Sequence, residues 1–88
     1  MLHTLKVNGY KFNIRLYVSV IDNETHEVVD EGFDSVRAAS QLYPRSLFHF
    51  LWTAVGFMNQ YGKFLQTPIY VYGATKDRAM SNLKNALK

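Results

Sequence analysis

From Tyr10 to Ile21 apolar and polar residues alternate clearly. Phe12, Ile14, Leu16, Val18 and Val20 fall on one side, with Lys11, Asn13, Arg15, Tyr17 and Ser19 on the other. A period of two is the mark of a strand with one face in a core. Before it, Leu2 to Val7 reads as a shorter strand, and Asn8-Gly9 between them is the strongest short hairpin signal, because both central positions of a type I′ turn need positive φ. Asp22-Asn23-Glu24-Thr25 is turn material, after which His26 to Phe33 returns as a third strand with Val28 and Val29 flanked by acids. The first third of the chain therefore predicts an antiparallel three-stranded meander.

The pattern then changes. Asp34 or Ser35 is a good N-cap for about two turns of helix over Val36 to Tyr43, which Pro44 ends. From Leu47 to Tyr61 the chain reads LFHFLWTAVGFMNQY, apolar around most of a helical circumference and interrupted by His49, Thr53, Gly56 and Gln60. Those four share one narrow helical stripe, so the segment predicts a long apolar helix from Pro44 or Ser46 to Tyr61, with Gly62 as the C′ residue. Such a helix has to be covered from at least two sides. Ile69 to Tyr72 follows as a fourth short strand, and Thr75 caps a final helix with Ala79, Met80, Leu83, Ala86 and Leu87 on its apolar stripe. The expected fold class is α+β in the order βββ-α-α-β-α, one domain over residues 1–88, with the sheet packed on the long helix.

Length and composition sharpen this in one respect. A chain of 88 residues buries only about 60 to 65% of its unfolded surface, yet 15% of it is Phe, Tyr or Trp. The aromatics exceed what one small core needs, and Tyr10, Tyr17, Tyr43, Tyr70 and Tyr72 are the candidates for a half-buried surface patch. Net charge is +3, but six of the seven acids (Asp22, Glu24, Glu27, Asp30, Glu31 and Asp34) lie between residues 22 and 34. Residues 35–88 hold seven bases against Asp77 alone, so the molecule is expected to be bipolar. There is no cysteine, which excludes disulfides and thiolate chemistry and fits a reducing compartment. No secretory signal or run of about 18 apolar residues is present, so the expectation is a complete, soluble, cytoplasmic protein with no membrane association.

Catalytic motifs are missing. His3, His26 and His49 are scattered without ligand spacing, no nucleophile elbow occurs, and the five glycines are isolated, so no metal, cofactor or phosphate loop is expected. His49 is expected to bond Thr53 or nearby backbone. The order of three antiparallel strands, helix, strand and helix is similar to the minimal ribonuclease H-like arrangement. That family holds divalent metal with several carboxylates; here Asp22 stands at a strand end, while the long helix contains no acid and the fourth strand finishes Tyr72-Gly73. The stretch VSVIDNETHEVVDEGFDSVRAASQLYPRS resembles the hairpin and helix-turn-helix modules of intron-encoded nucleases, in which a hairpin precedes a Ser-x-x-x-Ala-Ala helix; Ser35, Ala38 and Ala39 stand in for it here, with one residue fewer between the serine and the alanines. It departs from them at Tyr43-Pro44, and the place of the recognition helix is taken by Leu47, Phe48, Phe50 and Leu51.

The sequence thus favours a small non-enzymatic interaction or regulatory protein, of the kind carried by phages and mobile elements, that binds a host protein or a second copy of itself. Phe48, Trp52, Tyr61 and Tyr43 are the candidate partner-binding residues, although large apolar side chains of this kind are more often core. The alternative is a nucleic-acid-binding module using Arg15, Arg37, Arg45, Lys63, Arg78 and Lys84, with Tyr17 or Tyr43 stacking on bases. A small hydrolase or nuclease built around Asp22 is the third class.

Overall fold

A computed structural model describes residues 2–59, 61 and 63–88, of which 2, 58 and 64–67 are described through their backbone. Strands β1 (Leu2–Val7) and β2 (Tyr10–Asp22) form the expected hairpin. Asn8 and Gly9 take φ of 52° and 83°, as a type I′ turn requires. Strand β3 (Val28–Phe33) returns along the far half of β2, with bulges at two points of the ladder, one of them beside Gly32 at φ 96°. Ser35 caps the short helix α1 (Val36–Ser40), its hydroxyl accepting from the Ala38 amide at 3.1 Å.

The long helix predicted over 44–61 does not exist. Phe48–Asn59 is instead strand β4, and the fourth strand is longer than expected, β5 (Phe64–Gly73). Every pairing is antiparallel, and the sheet runs β1-β2-β4-β5 with β3 sharing the β1 edge of β2. The fold is therefore a five-stranded antiparallel sheet with two short helices, the second being α2 (Lys76–Ala86) capped by Thr75 as expected. The likeness to the ribonuclease H-like order fails because no parallel strand pair is formed among the described residues. In the stretch likened to the intron-nuclease modules, β4 stands where their recognition helix would be. Gln60, expected on the polar stripe, and Gly62, expected as the helix C-cap, lie outside the described residues.

Physical reasons for the strand are visible locally. A single turn does start after Pro44, where the Leu47 and Phe48 amides both reach the Pro44 carbonyl at 3.1 Å. The next carbonyl is then captured from outside: Leu47 O accepts from the Asn23 amide at 3.0 Å, which aligns the chain beside β2. From there β4 pairs with β2 over Asp22↔Phe48 to Phe12↔Asn59 and with β5 from Trp52 onward. A central strand with neighbours on both edges reads as apolar along its length, as a buried helix does, and the aromatic and β-branched content then favours the strand.

The two sheet faces are unlike. One row carries Ile14, Leu16, Val18 and Val20 of β2 with Trp52 and Ala54 of β4, and these pack with Ala39 of α1 and Ala79 and Leu83 of α2 in one buried cluster. Each large side chain buried there contributes about 1.5–3 kcal/mol. Phe48, Phe50, Val71, Ile69 and Leu87 pack around its margin. Both helices therefore lie over this covered face. Among the described residues the opposite face carries no helix. No helix among the described residues is long and apolar enough to cross a membrane.

Candidate binding surface on the open sheet face

Alternation fixes what the open face presents. Register puts Tyr17, Thr53 and Tyr72 in one row across β2, β4 and β5, and Arg15, Val55 and Tyr70 in the next. With about 4.8 Å between neighbouring strands, the outer members of each row stand roughly 10 Å apart over a small or aliphatic residue. The result is a trough floored by Val55, with Tyr17 and Arg15 along one side and Tyr70 along the other; in the Tyr17–Tyr72 row Thr53 is fully buried. A depression of about 320 Å³ lies here, lined by Arg15, Tyr17, Glu31, Gly32, Val55 and Tyr70. Tyr70 and Tyr72 are 56% and 40% exposed, so these rings are open to solvent.

Ser19 and Thr53 are both fully buried although no helix covers them, and their hydroxyls bond each other at 2.7 Å. Replacing Thr53 with Val leaves the Ser19 hydroxyl buried without that partner and is expected to cost about 1–3 kcal/mol. The double variant Ser19→Ala with Thr53→Val is expected to recover most of that loss, because no polar atom is left stranded. Urea unfolding of both variants decides it, and equal losses would show that the pair is not a unit.

Charge on this face is uneven. Lys6 and Lys11 are directly opposite each other in the β1–β2 ladder, on the same side as Arg15. Like charges in that position repel. The Arg15 guanidinium sits 5.9 Å from the centre of the Phe57 ring. Glu31, paired with Ser19, brings a carboxylate to the other end, where it accepts from the Tyr17 hydroxyl at 3.4 Å.

Burial first, then the Glu31 carboxylate and the neighbouring Tyr70 and Tyr72, push the Tyr17 hydroxyl up to about 12 from its usual 10.0. Tyr17 thus stays a neutral donor throughout the ordinary pH range. An unfolded chain releases this proton near pH 10 and the folded chain only near 12. The stability contributed is therefore complete below pH 10 and is lost as pH rises from 10 through 12. Ultraviolet titration is expected to show one tyrosine ionising late, and Glu31→Gln should move it back toward 10; a titration unchanged by Glu31→Gln contradicts the assignment.

The sequence-predicted residues are placed differently from one another. Trp52 is 8% exposed in the core beneath Lys76, whose ammonium lies 4.9 Å from the ring centre. Tyr43 and Phe48 meet edge to face at 5.1 Å on the covered side, and the Tyr43 hydroxyl donates to Asp30 at 2.8 Å, a bond that raises its pKa. Tyr61 is 74% exposed beyond the end of β4. Of the six basic candidates, Arg15 alone is on the open face. Arg45 lies over Phe50 at 5.7 Å on the covered side, Arg37 is on α1, Arg78 and Lys84 are on α2, and Lys63 precedes β5. Lys6, Lys11, Tyr70 and Tyr72 complete the surface; the β2 alternation put Lys11, Arg15 and Tyr17 together, while the β5 tyrosines join them only through the β4 register.

Asp22 serves the turn: its Oδ1 accepts from the Glu24 and Thr25 amides at 2.7 and 3.0 Å, bonds that hold its carboxyl below the usual range. His49 Nδ1 bonds Asn23 Oδ1 at 2.7 Å rather than Thr53. His3 Nε2 is buried without a hydrogen-bond partner, and His26 takes a left-handed φ of 61° in the β2–β3 turn. Among the described residues no group of three or more His, Asp or Glu side chains is arranged to hold a metal ion. Comparison of the chain with protein families, with curated proteins and with solved structures finds no match.

Proposed function

We propose that the protein is a small non-enzymatic binding module whose open sheet face takes single-stranded nucleic acid. The observation that supports this reading is the surface itself: the solvent-open rings of Tyr70 and Tyr72 on one side, the half-buried Tyr17 across Val55 on the other, and Lys6, Lys11 and Arg15 at one end. Every base has a face that stacks on an aromatic ring, and cations beside the rings hold the phosphates. A flat antiparallel surface suits a splayed single strand, whereas duplex grooves call for a protruding helix or ribbon.

A protein partner rests on the surplus of aromatics and the absence of catalytic motifs, and the apolar helix that would have needed cover is not there. Two of the exposed aromatics, Tyr70 and Tyr72, are on a face that also carries three bases. Self-association through this face is the competing outcome of the test. Fluorescence anisotropy with labelled oligo(dT) and oligo(U) is expected to show binding to both at low salt. With three phosphates neutralised, log K should fall against log salt with a slope of roughly −2. Absence of binding at low salt, with a dimer that dissociates when the open-face tyrosines are removed, would overturn the proposal in favour of self-association.

A further inference from the structure

We infer that Glu31 makes the trough selective for guanine, an inference that rests on the single-strand reading above. Glu31 is the acid that register places on the open face beside Tyr17, opposite in sign to Lys6, Lys11 and Arg15. An acid there works against phosphate binding, so its presence calls for a role toward a donor. Its position is set by the bulge at Gly32, whose φ of 96° turns β3 at the trough wall, and by the Glu31 amide, which donates to the Asp30 carboxylate at 2.8 Å. The same depression is lined by Arg15 and Glu31 with Tyr17 and Val55.

The chemistry follows from the inventory of base edges. Ionised carboxylates only accept, and they accept through two oxygens side by side. Guanine offers two adjacent donors on its Watson–Crick edge, N1–H and the N2 amino group, whereas thymine and uracil offer one imide N–H between two carbonyls that a carboxylate repels. Cytosine and adenine each offer one amino group beside an acceptor. Guanine also exposes O6 and N7, the pair that an Arg guanidinium recognises best. A base stacked on Tyr17 therefore has its two donors available to Glu31 and its O6/N7 edge available to Arg15. The Tyr17 hydroxyl, at 3.4 Å, makes a long bond to Glu31 that leaves the carboxylate able to accept elsewhere.

The test compares a short oligo(dT) with the same strand carrying a single central guanine, and with hypoxanthine in place of that guanine, which lacks the N2 amino group. The guanine strand is expected to bind about tenfold tighter than oligo(dT), and the hypoxanthine strand in between. Glu31→Gln and Glu31→Ala are expected to abolish the preference, so that the guanine, hypoxanthine and oligo(dT) strands bind each variant alike. Glu31 is exposed, so both variants should melt with the parent protein. Equal affinity for all three strands, or a preference that survives both substitutions, overturns the inference and leaves the single-strand reading standing. Failure of every strand to bind at low salt overturns both.

Discussion

Replacing Gly73 with Ala is expected to destabilise the protein by about 3 kcal/mol or more, the upper end of overpacking costs. Gly73 ends β5 opposite Trp52, where the chain turns into α2. A Cβ at this position would stand 2.8 Å from the Arg78 carbonyl carbon and 2.9 Å from Ala79 Cα, inside any real contact distance. Those atoms are backbone of the first turn of α2, which Thr75 caps and which seats Ala79 in the core, so they cannot rotate aside. Either α2 moves off the sheet or β5 gives up its last pair. A domain of this size has a total stability of roughly 5–10 kcal/mol, so the loss is a large share of it. Gly56→Ala is the control. Its Cβ would meet only the Leu83 and Leu87 methyl groups at 3.6–3.7 Å, ordinary contact, and its effect should stay within about 1 kcal/mol. Urea unfolding midpoints for the two variants decide it; equal midpoints would contradict the packing of α2 described here.

Removing both Tyr70 and Tyr72 as alanines is expected to weaken single-strand binding about 100-fold, since each base stacked on an aromatic ring is worth about 1–3 kcal/mol. Both rings are solvent-open, so the fold should survive within about 1 kcal/mol and the loss of affinity can be read directly. Arg45→Ala and Arg78→Ala, with changes on the helix-covered side, should leave affinity within about twofold by the same scale. If instead the arginine variants lose affinity and the tyrosine variant keeps it, the ligand lies across the helices.

Local signals carried much of the architecture. The Asn8-Gly9 turn, the strict alternation of β2, the Ser35 cap and the Thr75-capped helix with Ala79 and Leu83 inward are all properties of short windows, and each is found where the sequence puts it. The segment after Pro44 was not legible in the same way. His49, Thr53 and Gly56 fit a helical stripe by spacing, but in the strand His49 and Thr53 look to the open face while Gly56 packs under Leu83 and Leu87. What decides between the two is the neighbour on each edge, a long-range fact. The candidate surface suffered the same loss. Tyr17 and Arg15 belong to one strand and Tyr70 and Tyr72 to another, and only β4 between them, read as a strand, sets them facing each other across Thr53 and Val55. The arginines picked out by charge alone were spread over both faces, since charge is the least specific signal of where a side chain points.

The most direct test of the whole account is nuclear magnetic resonance titration of the labelled protein with oligo(dT) at low salt. Binding through the open face predicts shift changes confined to Lys11, Arg15, Tyr17, Thr53, Val55, Tyr70 and Tyr72, with Ala39, Ala79 and Leu83 unmoved. Changes centred on α1 and α2, or none at saturating oligonucleotide, would contradict it.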